Sequence, residues 1–200
     1  QQMTVAASLP EGPDGRRRCF GNKPGQDIYA VYHDTEWGVP CHDDRALFEM
    51  LILEGAQAGL SWETVLLKRD GYRAQFYEFE IERVAGMSDG ELEAARENPA
   101  IIRNRLKIAS TRRNARVFLD IQTECGSFDT YLWNFVGGAP LKGDWETLKE
   151  VPVTTPESDA LSKDLKKRGM NFVGSTIIYA YMQATGLVND HVRECWRHGQ

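Results

Sequence analysis

The sequence lacks an apolar run long enough to cross a membrane. None of its runs reaches the roughly 18 consecutive apolar residues that a membrane-spanning helix needs. Its first residues, QQMTVAASLPEGPDGRRR, also lack the order of a secretory signal, because the short apolar patch precedes the basic residues. We therefore expect a protein with no membrane partner that is retained in the cytoplasm.

Cysteine is scarce as well. The chain of 200 residues has four cysteines, which are scattered as Cys19, Cys41, Cys125 and Cys195. This number and spacing exclude the dense disulfide scaffold of small secreted domains. In a reducing compartment, well-placed cysteines are instead free thiols or metal ligands.

Strand signals are nearly missing. Strict alternation of apolar and polar residues occurs only in short stretches near Val151. Helical periodicity and capping residues recur instead, and they predict helices over residues 46–58, 62–69, 90–97, 105–124, 128–136, 156–169 and 176–185. We predict an all-α domain over residues 16–200, preceded by a flexible tail over residues 1–15.

Basic charge is concentrated in one segment of an acidic chain. The formal net charge of −5 excludes a protein that coats DNA through its overall charge. Between Asn98 and Leu119 there is no acidic residue, whereas six basic residues fall inside: Arg103, Arg105, Lys107, Arg112, Arg113 and Arg116. Such a segment suits an anionic partner that is bound at one surface. A solvated helix face that is balanced by acidic neighbours explains it equally well.

Two pairs of cysteine and histidine have the composition of a zinc site. His191 and Cys195 are four residues apart, which puts both side chains on one face of a helical turn. Cys19 and His33 form a wider-spaced pair near the other end of the chain. A Cys2His2 set suits tetrahedral zinc and leaves no open coordination position, so the site would be structural. The alternatives are unlinked residues or a Cys19–Cys195 disulfide.

A glutamate interrupts the apolar run ALFEMLILEGAQAGLSW. On a helix, Glu54 continues the stripe through Leu47, Met50 and Leu51, about 140° around the axis from Glu49. Glu49 is therefore predicted to face water, and Glu54 the interior or a cavity. A buried carboxylate needs hydrogen-bond donors or a cation. Backbone amides satisfy that need in one interpretation, and a ligand satisfies it in the other.

Aromatic residues lie in the same region as this glutamate. They are Tyr29, Tyr32, Trp37 and Trp62. Aromatic faces together with one carboxylate form a trap for a flat cationic ligand, although each aromatic alone is more often part of a core. Gly59 permits a tight turn, which would leave Leu60 at the tip between two helices. An apolar tip either staples the helices together or inserts between stacked bases.

Five stretches carry long and specific sequence patterns. They read YAVYHDTEWGVP at 29–40, LFEMLILEGAQAGLSWETVLLKR at 47–69, IIRNRLKI at 101–108, SDALSKDLKKRG at 158–169 and NFVGSTIIYAYMQATGLVNDHV at 171–192. In these stretches the chain resembles the bacterial 3-methyladenine DNA glycosylase I family of the helix-hairpin-helix superfamily. The resemblance extends from Arg18 to Cys195. It implies an all-α helix-hairpin-helix fold, in which two helical lobes flank a base-binding cleft and the terminal segments meet at a zinc site.

The resemblance also implies an activity. Members of the family are monofunctional glycosylases that flip 3-methyladenine, with 3-methylguanine as a further candidate, out of alkylated double-stranded DNA and excise it by hydrolysis. We therefore expect a cytoplasmic bacterial repair enzyme that acts at the nucleoid. A monomer without a protein partner is the simplest expectation.

Individual residues acquire roles from the same resemblance. Cys19, His33, His191 and Cys195 fall on the ligands of the structural zinc ion. Glu54 falls on the glutamate that reads the methylated base, and it is our candidate catalytic residue. The pocket aromatics correspond to Trp62, Tyr29 and Tyr32.

The resemblance further implies which residues contact DNA. The stretch IIRNRLKI falls on the DNA-binding hairpin, which gives Arg103, Arg105 and Lys107 as candidate contacts. Gly59 and Leu60 fall in the loop that enters the gap left by the extruded nucleotide.

The chain departs from the family or its superfamily at three places. Where the family usually has a tryptophan shortly after the first zinc cysteine, this chain has Phe20. Phe20 either replaces that tryptophan as an aromatic wall of the base pocket, or this wall is missing.

The hairpin lacks the Gly-x-Gly turn that is common elsewhere in the superfamily. The first acidic residue after Ile101 is Asp120, which agrees with the family's lack of the superfamily's catalytic aspartate. No lysine occupies an obvious nucleophile position, which predicts base release without strand cleavage.

Overall fold

Helices make up nearly all of the regular structure in residues 8–200, the part of the chain that the computed structural model describes. They are α1 (Asp27–Thr35), α2 (Asp44–Ala56), α3 (Trp62–Leu67), α4 (Arg69–Gln75), α5 (Ile81–Ala85), α6 (Asp89–Ala95), α7 (Arg105–Cys125), α8 (Phe128–Trp133), α9 (Pro156–Arg168) and α10 (Ser175–Ala184). Two short strands, β1 (Leu141–Lys142) and β2 (Val188–Asn189), pair in parallel. The prediction of a mostly helical chain is confirmed.

Capping side chains begin several helices where the sequence predicts them. At the start of α2 the Ala46 N–H donates to the Asp43 carboxylate at 2.9 Å. Ser61 accepts from the Thr64 N–H at 3.2 Å and begins α3. Such side chains satisfy backbone N–H groups that have no partner within the helix.

Some elements escape the sequence patterns. Helix α1 was not predicted, because its apolar residues do not mark a buried face: Ile28 and Val31 are 58% and 60% exposed, whereas His33 is fully buried. Helices α4 and α5 and the strand pair were also not predicted. The short alternating stretches near Val151 form no strand, and the two strands lie at 141–142 and 188–189.

Helix α2 lies at the centre of the fold. All of its residues from Leu47 to Ala56 are buried, and it contacts α3, α7, α8 and α10. The last turn of α2, which carries Glu54, is therefore enclosed by other elements.

The segment before α1 packs against the C-terminal segment. The Leu9 N–H donates to the Glu194 carboxylate at 2.7 Å, and the Leu9 side chain packs with Cys19, Val192 and Cys195. The predicted flexible tail covers residues 1–15, and its first seven residues lie outside the described residues. The boundary at residue 16 stays a prediction. Within residues 8–200, no helix combines the length and apolar character needed to span a membrane.

Candidate functional site

Glu54 is buried in the last turn of α2. Its side chain belongs to a residue that is only 3% exposed, and its Oε2 atom has no hydrogen-bond partner among the described residues. Burial raises the pKa of Glu54 from 4.5 to about 8. Such an uncompensated carboxyl group is costly to the fold and is therefore a candidate for ligand recognition.

Glu49, on the same helix, is also buried, so the prediction that it faces water is wrong. The structure explains why it tolerates burial. Arg69 and Arg73 donate to its carboxylate at 2.7 Å and 2.6 Å. Burial by itself raises the pKa of Glu49, but the hydrogen bonds from Arg73 and the charge of Arg69 outweigh it and keep the pKa below its ordinary value. Glu49 is thus a paired carboxylate, in contrast to Glu54.

Aromatic side chains from α1 and α3 face the region of Glu54. The rings of Tyr32 and Trp62 lie 5.5 Å apart, centroid to centroid. Burial, then the charges of Glu63 and Glu54, raise the pKa of Tyr29 to about 12. Burial and the charge of Glu54 likewise keep the pKa of Tyr32 well above its usual range. The two tyrosines therefore lie close enough to Glu54 for its charge to raise their pKa, and Tyr32 in turn lies beside Trp62.

The site leaves a donor and an acceptor unpaired. Among the described residues, the buried side-chain atoms without a partner are Glu54 Oε2, Trp62 Nε1 and Arg197 Nε. Each unmet buried polar group costs roughly 1–3 kcal/mol. A ligand that offers both a donor and an acceptor would remove this cost at Glu54 and Trp62.

Phe20 joins the aromatic side chains of the site. Its ring stacks on Tyr29 at 4.6 Å with an interplanar angle of 22°, and it meets the edge of Trp37 at 5.1 Å. The sequence left open whether Phe20 serves as a pocket wall. Its position directly after Cys19, a predicted metal ligand, was the available signal.

Cys19, His33, His191 and Cys195 converge in one buried cluster. Their ligand atoms all lie within 4.8 Å of one another. The Cys195 Sγ atom is 3.4 Å from both His33 Nε2 and His191 Nδ1. Zn–S and Zn–N bonds of about 2.3 and 2.0 Å in a tetrahedron give an S···N separation of about 3.5 Å. Both cysteines are free thiols, so this set fits zinc in composition and spacing and does not form the alternative disulfide.

Surrounding groups fix the two histidine rings. His33 Nδ1 lies 2.7 Å from the Asp34 carboxylate, and His191 Nε2 lies 2.9 Å from the Trp37 carbonyl oxygen. The nitrogen on the other side of each ring therefore faces the cluster, where His33 Nε2 also accepts from the Cys19 N–H at 3.3 Å. A side chain at Gly38 would approach the His191 ring to 3.2 Å, and the φ of +79° at this position also favours glycine.

The residues of the basic segment differ in whether their side chains are bound by other parts of the fold. The guanidinium groups of Arg112, Arg113 and Arg116 donate to the carbonyl oxygens of residues 87, 169 and 85. Arg103 and Arg105 are exposed, in the hairpin before α7 and at its first residue. The first turn of α7 has no acidic residue, so the positive end of the helix dipole faces solvent beside them. Arg112 also pairs with the Asp89 carboxylate at 2.8 Å, so the interpretation of a helix face balanced by acidic neighbours fits this residue. The anion-binding interpretation fits Arg103 and Arg105.

Leu60 lies on an exposed turn between α2 and α3. Its side chain belongs to a residue that is 40% exposed. The Leu60 N–H donates to the Gln57 carbonyl oxygen at 2.6 Å, and Gly59 has a φ of +81°. That conformation is one that glycine adopts at little cost. The structure thus forms the predicted apolar tip.

Lys107 differs from the other candidate DNA contacts. Its ammonium donates to the carbonyl oxygens of Ala56 and Ala58 at 2.9 and 2.8 Å. The structure therefore places it against the segment that leads to Leu60 rather than in open solvent, while its predicted contact with DNA remains a prediction.

A mostly helical chain with a buried carboxylate near aromatic rings, an apolar tip and exposed arginines has the construction of a DNA glycosylase. Residues 22–198 match the methyladenine glycosylase family. The chain belongs to this family. It is 51% identical over 168 residues to DNA-3-methyladenine glycosylase 1 of Escherichia coli (strain K12), covering 84% of this chain and 90% of that protein.

Solved structures agree with this assignment. A crystal structure of 3-methyladenine DNA glycosylase I shares 50% identity and a TM-score of 0.84, over 86% of this chain and 94% of the other. The Staphylococcus aureus enzyme, solved to explain 3-methyladenine recognition, shares 36% identity and a TM-score of 0.83, over 84% and 90% of the two chains. The resemblance predicted from the sequence is confirmed.

Proposed function

We propose that this chain is a monofunctional DNA glycosylase that releases 3-methyladenine from alkylated double-stranded DNA by hydrolysis. One observation carries the proposal. Glu54 is a buried carboxyl group whose Oε2 atom has no hydrogen-bond partner within residues 8–200, and it lies among the aromatic residues of a chain that belongs to the methyladenine glycosylase family. The relatives named above are 3-methyladenine glycosylases, which supports the same substrate here.

The first step is extrusion of the damaged nucleotide, because the base is out of reach inside the duplex. Backbone N–H groups and the side chains of Arg103 and Arg105 bind phosphates and set the position of the duplex. Leu60, at the tip of its turn, fills the space that the nucleotide leaves.

Recognition of the base is the task of the pocket. 3-Methyladenine carries positive charge on its ring, and it stacks against Trp62 and the two tyrosines, Tyr29 and Tyr32. Glu54 accepts a hydrogen bond from the base and pairs with its charge. Unmodified adenine brings no charge to this site, so it does not offset the cost of ionising a buried carboxyl group.

Bond cleavage requires little from the chain itself. The positive charge of the ring already weakens the glycosidic bond, so the base leaves with the bonding electrons and becomes neutral. Water adds its oxygen to the sugar carbon and loses a proton. No covalent bond to the chain forms, and the strand stays intact.

The Cys/His cluster completes the proposal. Cys19, His33, His191 and Cys195 would hold one zinc ion, which supplies a structural cross-link when bound. It joins the segment before α1 to the C-terminal segment, next to Phe20. We further propose a monomeric single domain of the helix-hairpin-helix type over residues 16–200, with two helical lobes beside the base pocket.

An assay of base release tests the function. The chain is incubated with alkylated duplex DNA, and the released bases are identified by chromatography. We expect 3-methyladenine and an abasic strand that remains uncut until alkali is added. Duplex binding without any released base would instead indicate a non-catalytic DNA-binding module, and direct strand cleavage would contradict a monofunctional enzyme.

The exposed arginines give a prediction about salt. The double variant Arg103→Ala/Arg105→Ala should bind every duplex more weakly. Its plot of log affinity against log salt concentration should be less steep by about 2, because two phosphate contacts are lost. Fluorescence anisotropy over a salt series measures the slope. Arg112→Ala is the matched control, since Arg112 donates to the Met87 carbonyl oxygen and should leave the slope unchanged. An unchanged slope in the double variant would remove the hairpin from the DNA-binding surface.

A further inference from the structure

Lys107 connects the start of α7 to the turn that carries Leu60. Its backbone N–H is bound by the Asn104 side chain at 3.0 Å, at the start of α7. The ammonium at the far end of its side chain donates to the carbonyl oxygens of Ala56 and Ala58 at 2.9 and 2.8 Å. One residue therefore connects the two surfaces to which we have assigned phosphate binding and insertion into the duplex.

The carbonyl groups that Lys107 binds belong to the end of α2. Ala56 is the last residue of that helix, and the final carbonyl groups of a helix have no partner within it. A charged donor satisfies them and is also favoured by the negative end of the helix dipole. Glu54 lies two residues before Ala56, so the same contact holds the turn that carries the base-reading carboxylate.

Helix α7 provides a fixed base for this contact. Asn114, two turns further along α7, exchanges hydrogen bonds of 2.9 Å with the backbone of Asn171 in both directions. Lys107 itself is partly buried, and that burial lowers the pKa of its ammonium. Two of the three ammonium protons are used by carbonyl oxygens, so the side chain is directed inward.

We propose that Lys107 is a positioning residue that couples phosphate binding at the start of α7 to the placement of the Leu60 turn. Through this coupling, a duplex whose phosphates are bound at the start of α7 is aligned with Leu60. The Leu60 side chain can then insert into the space that the extruded nucleotide leaves in the base stack. The inference rests on the proposed function, because it assigns that turn to DNA. It also gives Lys107 a role different from the phosphate contact that the sequence predicts.

A double-mutant cycle tests the coupling without any need for base release. Binding is measured for one duplex with a central stable abasic-site analogue and for the same duplex with a normal base pair. Lys107→Met and Leu60→Ala should each reduce the preference for the abasic duplex by about tenfold. The double variant should lose little more, since both changes disable the same insertion. Effects that multiply independently would overturn the proposal.

A second lysine controls for the loss of a charged donor to a backbone carbonyl group. Lys68 donates to the Pro99 carbonyl oxygen at 3.0 Å, beside the hairpin, and Lys68→Met should leave the abasic preference unchanged. Lys107→Arg, which keeps a charged donor, should restore part of the preference. A Lys107→Met variant whose salt slope falls by about 1 on both duplexes, with the preference retained, would identify a phosphate contact and overturn the proposal.

Hydrogen exchange separates positioning from simple helix capping. In Lys107→Met, the amides of residues 57–60 should exchange faster, whereas those in the middle of α7 should not change. A lower melting temperature with unchanged abasic preference would show a purely structural cap and overturn the proposal. If the unchanged chain releases no 3-methyladenine but the cycle is non-additive, the proposed activity fails while the coupling stands.

Discussion

Glu54→Gln should release 3-methyladenine about 10- to 100-fold more slowly than the unchanged chain. Glutamine has nearly the same shape and still accepts a hydrogen bond, but it removes the charge that pairs with the cationic base. Hydrogen bonds to charged groups contribute about 1.5–3 kcal/mol, which corresponds to this range of rates. Single-turnover assays on alkylated duplex DNA measure the release. Binding to undamaged duplex should not change, because Glu54 is buried away from the phosphates.

The same substitution has an opposite effect on stability. The pKa of Glu54 in the fold is about 8 and its ordinary value is 4.5. Because the folded pKa is raised, the stability that the protonated group contributes is complete below its ordinary pKa and is lost as the pH rises through about 8. Glutamine does not titrate. The melting temperature of Glu54→Gln should therefore exceed that of the unchanged chain increasingly from about pH 5 to about pH 9.

Glu49 supplies the control on the same helix. Its pKa is held below the ordinary value by Arg73 and Arg69 despite burial, so its contribution is present at neutral pH and is lost in acid. Glu49→Gln should lower the melting temperature at neutral pH, since two guanidinium groups lose their shared partner. Release near the unchanged rate in Glu54→Gln, with no pH-dependent gain in stability, would contradict the assigned role of Glu54.

If the cluster holds zinc as proposed, Cys195→Ser should lose the metal ion and lower the melting temperature by about 10–20 °C. The sulfur contacts both histidines of the cluster, and the loss of a structural metal ligand is worth several kcal/mol. In a chain of this length each kcal/mol shifts the melting temperature by about 2–4 °C. Metal analysis of the unchanged chain, purified without added metal, should find about one zinc ion per molecule.

Cys41→Ser is the control for this substitution. Cys41 is partly buried and lies outside the cluster, so its replacement should keep the metal ion. If the unchanged chain holds no metal and Cys195→Ser melts at the same temperature, the cluster is not a metal site.

The extent to which the sequence predicts this molecule differs between elements. Capped helices were predicted closely, because Asp43, Ser61 and Ser88 act on backbone groups only three residues away. Helix α1 was missed because it buries tyrosine and histidine rather than an apolar stripe. Capping signals act over one helical turn, whereas α1 is held by the aromatic side chains and the Cys/His cluster that surround it.

The same distinction applies to the site. The position of Glu54 in an apolar run was sufficient to predict its burial, and the family resemblance gave it a role. The run could not show that Glu49 is buried as well, because its partners Arg69 and Arg73 lie on the next helix but one. The sequence also could not show which groups the Lys107 ammonium binds, since the Ala56 and Ala58 carbonyl groups are about 50 residues away along the chain.

The Cys/His cluster has a consequence for how the chain is made. Cys19 and His191 are separated by 172 positions, so a ribosome makes all of the chain between them before the second pair of the cluster emerges. Until then the first pair has no partners, and Phe20, directly beside Cys19, has no fixed anchor for its stack on Tyr29. This aromatic stack is therefore completed only after residues 191–195 have been synthesised.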